Sequence, residues 1–213
     1  MEQFAQTATA PVITLARHRL QSDGQGVTTL VCFHGCPLRC KWCINPFSFG
    51  PDTKRTVMTA QMLYEKVKID ELYFLATGGG VTFGGGEPLL YAPLLMDFRR
   101  ICGQGWHLCA ETSLSVPWEQ VQTAAACIDM FYIDCKDTDP DIYRSYTGKD
   151  NRQMLENLQR LLQLVGPERI VARLPLIPGY NSESDRQASR KLLAQMGVTQ
   201  FDFFTYRTNT ENP

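Results

Sequence analysis

Val27-Thr28-Thr29-Leu30-Val31-Cys32-Phe33 runs without a break into His34-Gly35-Cys36-Pro37-Leu38-Arg39-Cys40-Lys41-Trp42-Cys43-Ile44-Asn45-Pro46. The first half is apolar and rich in β-branched residues, which predicts a buried strand. The second half holds Gly, Pro and three cysteines, which predicts a loop that carries chemistry. Outward from this point the pattern repeats. Further strands are predicted at Val81–Gly84, His107–Glu111, Met130–Cys135, Arg169–Pro175 and Gln200–Tyr206. Helical periodicity predicts Thr59–Leu75, Ala92–Cys102, Pro117–Cys127, Arg152–Leu164 and Glu183–Met196. Pro93 and Pro117 suit first turns, and Gly197 suits a C-terminal cap. Strands alternating with helices imply βαβ units on a parallel sheet. About six such units are too few to close an eight-stranded barrel of ~250 residues. An α/β fold is therefore expected, a partial (β/α)6 TIM-like barrel forming one domain over residues 1–213. The segments Met1–Pro11 and Thr208–Pro213 are expected to be loosely held.

In such folds the active site lies at the carboxyl ends of the strands. The unusual residues obey that rule. The cysteines follow the first predicted strand, and Gly84–Pro88 follows the second. Glu111 ends the third, and Asp134 and Lys136 end the fourth. Arg173 lies late in the fifth, and Arg207 follows the sixth. All are expected at one mouth.

The chain has 213 residues and 44% hydrophobic content, enough for one ordinary core. Its formal net charge of −1 gives no reason to expect nucleic-acid or anionic-lipid binding by the chain as a whole. No apolar run approaches the ~18 residues of a membrane span. The N-terminus lacks a basic start and an apolar stretch, so no export signal is expected. The 8 cysteines are then read as reduced thiols in a cytoplasmic protein, where a tight cluster points to metal or catalysis.

Cys36, Cys40 and Cys43 form C-x3-C-x2-C, which lets one loop wrap one cluster. Tetrahedral zinc and ordinary electron-transfer clusters usually take four protein ligands. Three thiolates leave one iron open, which is a catalytic feature. A zinc site completed by His34 or Cys32 is the alternative.

These residues resemble the signature of the radical S-adenosylmethionine superfamily, and more narrowly its glycyl-radical-enzyme activating enzymes. The likeness extends to Gly24-Gln25-Gly26, Asn45-Pro46, Gly78 through Pro88, Glu111-Thr112-Ser113, Asp134-Cys135-Lys136, Tyr146-Thr147-Gly148, and Arg173 with Pro178-Gly179-Tyr180. The resemblance implies one [4Fe–4S] cluster on Cys36, Cys40 and Cys43 and S-adenosylmethionine on its open iron. It implies reductive cleavage to a 5′-deoxyadenosyl radical, which takes a hydrogen from a glycine Cα of a partner glycyl radical enzyme of the pyruvate formate-lyase type. It further implies a flavodoxin or ferredoxin as electron donor, an anaerobic setting and a monomer.

By the same resemblance, Gly85 and Gly86 bring backbone close to the ligand, and Asp134 and Lys136 contact its ribose and carboxylate region. Glu111 and Arg173 are further inward candidates. Trp42 lines the adenine side or shields the cluster. Glu87 contacts substrate or shapes its loop. The family often has a His where this chain has Arg207, and arginine can also stack on adenine. The family usually continues through another helix, so the chain is expected to be truncated or short at its C-terminus. Cys102, Cys109, Cys127 and Cys135 match no cluster spacing and are read as small core hydrophobes. His18 and His107 are read as structural. A radical enzyme acting on a small molecule, a zinc or iron–sulfur binding module, and a degenerate relative remain as rivals.

Overall fold

The computed structural model describes residues 7–20 and 23–206. Eight strands form a single sheet. They are β1 (Thr9–Leu20), β2 (Val27–Phe33), β3 (Thr56–Thr59), β4 (Gly80–Gly85), β5 (His107–Thr112), β6 (Met130–Asp134), β7 (Ile170–Leu176) and β8 (Gln200–Thr205). Their order is β3-β1-β2-β4-β5-β6-β7-β8. From β2 to β8 every pairing is parallel. The six parallel strands are those predicted, each within two residues at its ends. Among the described residues β3 and β8 have no partner on their outer sides, so the barrel they form is open laterally, the expected partial (β/α)6 architecture.

The helices are α1 (Ala60–Val67), α2 (Glu71–Thr77), α3 (Ala92–Cys102), α4 (Trp118–Ala125), α5 (Pro140–Thr147), α6 (Arg152–Val165) and α7 (Glu183–Met196). Their apolar stripes bury Leu63, Phe74, Phe98, Val121, Leu158, Leu161 and Leu193 against the sheet. Phe33, Phe83, Phe98 and Trp106 form a continuous aromatic core behind β2 and β4. Each such side chain, taken fully out of water, contributes about 1.5–3 kcal/mol.

Three features depart from the sequence reading. Met1–Pro11 is not wholly loose, because Thr9–Pro11 opens β1, which pairs antiparallel with both β2 and β3. Backbone pairing between strands places this segment, and the predicted elements did not include β1 or β3. Thr59–Leu75 is not one helix. Thr59 ends β3 and caps α1 through its side chain, and a 3-10 turn at Lys68–Asp70 separates α1 from α2. There Asp70 is buried, bonded to Arg17 and to Thr29 Oγ1 (2.7 Å). Helix α5 was also missed, although Asp139 caps its first turn, Pro140 opens it and Gly148 ends it. Thr208–Pro213 lies outside the described residues.

Candidate functional site

The carboxyl ends of the strands open into a cleft of about 600 Å3. Cys36, Cys40, Cys43, Gly85, Gly86, Glu111, Asp134, Lys136 and Arg173 all line it. Arg207 lies outside the described residues.

Backbone contacts set the cysteine loop. The Arg39 and Lys41 amides donate to the carbonyls of Thr147 (2.9 Å) and Tyr146 (3.1 Å) at the end of α5. This is the role of the Tyr146-Thr147-Gly148 motif: it supplies the free C-terminal carbonyls that every helix leaves over. Gly35 N donates to Ser48 O at 2.5 Å, and the Arg39 guanidinium donates to Cys36 O at 2.6 Å. His34 Nε2 lies 3.0 Å from Gly50 O, a structural contact. Cys32 sits on the cleft wall at the end of β2.

The glycines after β4 have a packing cause. A Cβ on Gly86 would stand 2.2 Å from Gly35 O, and one on Gly85 would stand 2.8 Å from the Cys32 Cα. Gly85 also holds φ +85°, a conformation glycine adopts freely. Their bareness lets the loop press on the end of β2 and the cysteine loop. Gly86 N donates to Phe33 O (2.9 Å) and Glu87 N to Gly35 O (2.7 Å). The Gly85 carbonyl accepts from Asn45 Nδ2 at 3.3 Å.

Glu87 shapes its loop. Its buried carboxylate accepts from Thr112 Oγ1 (2.6 Å), Leu89 N (3.2 Å), Ser113 N (2.9 Å) and Ser113 Oγ (2.7 Å). This ties the Gly-rich loop to the end of β5, and gives the Glu111-Thr112-Ser113 motif a structural reason. Trp42 stands at the outer edge of the cysteine loop. It is not among the cleft-lining residues, is 40% exposed, and donates from Nε1 to Pro178 O at 3.3 Å. It straps the cysteine loop to the loop after β7.

The charged residues form one row. In register, Asp134 on β6 faces Arg173 on β7, which faces Asp202 on β8. Arg173 Nη1 donates to Glu111 Oε1 at 2.7 Å and lies 4.0 Å from Asp134, while Arg173 Nε lies 3.6 Å from Asp202. Its guanidinium also lies 4.6 Å from the centre of the Tyr132 ring. Lys136 Nζ donates to Asp134 (3.0 Å) and to Tyr206 OH (2.8 Å). Burial disfavours the Asp134 carboxylate, but Lys136 and Arg173 outweigh it and hold the group below its usual range. Burial also disfavours the Lys136 ammonium, but Asp134 and Tyr206 outweigh it, so this lysine stays charged. At Glu111, burial dominates over Arg173 and the carboxyl is pushed up. Sequence reading missed Asp202, Tyr206, Arg19 and Asp23, which also line the cleft. Asp202 had a signal, a lone carboxylate between Phe201 and Phe203 on a predicted strand.

The donor set is chemically that of a three-thiolate cluster. Cys36, Cys40 and Cys43 are free thiols, partly exposed and lining one cleft, although among the described residues no three His, Cys, Asp or Glu side chains are gathered as a metal site. Burial pushes the Cys36 thiol up to about 12, with Glu87 adding to the rise. Burial also raises Cys40, against the pull of Lys136. A cation arriving here replaces protons. The other cysteines pack as expected. Cys109, Cys127 and Cys135 are buried, and Cys102 is partly so.

Residues 30–192 match the family model of the radical SAM superfamily. The chain is 29% identical over 223 aligned residues to the (2S)-3-sulfopropanediol dehydratase activating enzyme of Klebsiella oxytoca, covering 76% of this chain and 69% of that one. It is 32% identical over 173 residues to a pyruvate formate-lyase-activating enzyme of Staphylococcus aureus, covering 76% and 67%. It is 37% identical over 131 residues to that of Clostridium pasteurianum, covering 61% and 54%. Among solved structures, SuiB of Streptococcus suis bound to S-adenosylmethionine superposes with a TM-score of 0.63 at 14% identity. That match covers 83% of this chain and 39% of that one, and it shows the fold. With the C-x3-C-x2-C loop at the mouth of a partial barrel, the chain belongs to the radical SAM superfamily, whose members use a [4Fe–4S] cluster and S-adenosylmethionine.

Proposed function

We propose that this chain is a glycyl-radical-enzyme activase of the pyruvate formate-lyase type. One observation carries the reading: three free thiols of a single loop share a cleft with Glu111, Asp134, Lys136 and Arg173. Cys36, Cys40 and Cys43 would hold the cluster, leaving one iron for S-adenosylmethionine. When bound, the pair supplies the electron and the 5′-deoxyadenosyl radical that removes a glycine Cα hydrogen.

The protein's own part is to bind, orient and exclude water. Lys136 is charged and already bonded to Asp134 and Tyr206, so its ammonium is aimed before a ligand arrives. A carboxylate ligand meets that ammonium without the cost of ordering it. Arg173 fixes Glu111 in the same way. Glu111, Asp134 and Asp202 against Arg173 and Lys136 leave a formal −1, which favours a sulfonium cation. The laterally open sheet of the described residues suits entry of a partner's loop over enclosure of a small molecule. One domain, a monomer, a cytoplasmic site and a flavodoxin or ferredoxin donor complete the proposal. Among the described residues, no helix is long and apolar enough to cross a membrane.

The test is anaerobic reconstitution with iron and sulfide, then reduction and S-adenosylmethionine. Wild type should release 5′-deoxyadenosine, the Cys40→Ala variant none, and a pyruvate formate-lyase partner should develop a glycyl radical by electron paramagnetic resonance. 5′-Deoxyadenosine without that radical would move the assignment to another partner. A colourless protein holding zinc would refute it entirely.

A further inference from the structure

The cysteine loop has two faces. Cys36, Leu38, Cys40 and Cys43 turn to the cleft, while Arg39 and Lys41, between them, are exposed and absent from its lining. The Arg39 and Lys41 amides dock this loop on the end of α5, which brings it beside the segment 144–152. That segment exposes Arg144, Lys149 and Arg152 against Asp150. With Asp141, which pairs with Arg144, the outer face carries five cations and two carboxylates, a formal +3. The whole chain carries −1, so everything else sums to −4. The positive charge is thus concentrated on the outside of the ligand-bearing loop. Of these cations Arg144 pairs with Asp141 at 4.0 Å, and Arg39 donates to the carbonyls of Cys36 and Leu38.

We propose that this outer face is the docking surface for an acidic one-electron carrier protein. The inference rests on the activase reading, which requires an electron while the cleft is filled by cofactor and substrate. The inner face of the loop is then covered, and Trp42 straps its far end to Pro178. The carrier must come from outside, where Lys41 stands between two cluster ligands. One electron leaves the carrier's reduced cofactor and enters the cluster, and no bond forms or breaks. A positive patch on a net negative protein steers an acidic partner to that place and away from the rest.

The probe is flavodoxin, titrated into the anaerobically loaded protein, with Kd read by calorimetry. The variant is Lys41→Glu with Lys149→Glu. The control is Lys66→Glu with Lys191→Glu, exposed cations on α1 and α7 that make the same change in net charge. At about 50 mM salt the outer-face variant should bind flavodoxin at least ~10-fold more weakly than wild type, with the gap closing at about 300 mM salt. The control should bind within about two-fold of wild type. Equal affinities for wild type and the outer-face variant, or an equal loss in the control, overturn the proposal. Failure of the activase reading is seen separately, as absence of 5′-deoxyadenosine when dithionite replaces the carrier. Because Kd does not depend on turnover, the docking result is read in either case.

Discussion

Replacing Gly86 with alanine tests whether packing, as opposed to ligand contact, demands a bare residue after β4. The new Cβ would sit 2.2 Å from Gly35 O and 2.9 Å from Phe33 O. Both are backbone atoms and cannot rotate away. Reaching ordinary contact at 3.4 Å requires the Gly35 carbonyl to move by about 1.2 Å. That displacement breaks two hydrogen bonds, Gly86 N to Phe33 O and Glu87 N to Gly35 O. At about 1 kcal/mol each they account for ~2 kcal/mol, and overpacking adds about 1–3. Lower unfolded-state entropy returns roughly 0.4–1, so a net loss of about 2–5 kcal/mol is expected. Gly35 adjoins Cys36, so the same movement displaces a cluster ligand. The assay pairs urea denaturation with iron and sulfide content after anaerobic loading. Gly197→Ala is the control, since it has φ +109° but no atom within 4 Å of the new Cβ. It should cost about 1 kcal/mol and load iron normally. Wild-type stability and iron content in Gly86→Ala would refute the reasoning.

Other perturbations address the buried polar groups. Glu87→Gln turns an amide N–H2 toward donors that now meet a carboxylate, and should lower stability by about 1–3 kcal/mol by urea titration. Arg173→Met strands the part-buried Glu111 and should cost about 1–3 kcal/mol, while adding Glu111→Gln should recover part of the loss in a double-mutant cycle. The Asp134 carboxyl is held low in the folded state, so its stabilisation is present above its unfolded value of about 3.9 and is lost as pH falls through the lower folded value. Urea midpoints of Asp134→Asn between about pH 5 and pH 3 should therefore fall less steeply than those of wild type.

Much of the fold could be read directly because periodicity is local. The six parallel strands and helices such as Ala92–Cys102 and Glu183–Met196 bury one face each, and their residue patterns say so. The same holds for the cysteine loop, whose spacing is a property of eight consecutive residues. β1 was hidden because its partners, β2 and β3, are supplied by distant segments, and because its own residues alternate imperfectly across two register shifts. The break between α1 and α2 was hidden because Asp70 is drawn inward by Arg17 and Thr29, contacts that no helical pattern encodes.

The sequence by itself determined the residue types at the mouth, since each stands at the end of a recognisable strand. Only the tertiary structure decided what each one does there. Gly86 is bare because another backbone lies against it, Glu87 is a clamp because four donors converge on it, and Trp42 is a strap because Pro178 lies within reach. Asp202 and Tyr206 joined the charged row only when β8 came into register beside β7. Strand ends are encoded locally by side-chain period. Partners across a sheet are set by register between segments far apart in the chain, and no single segment carries that information.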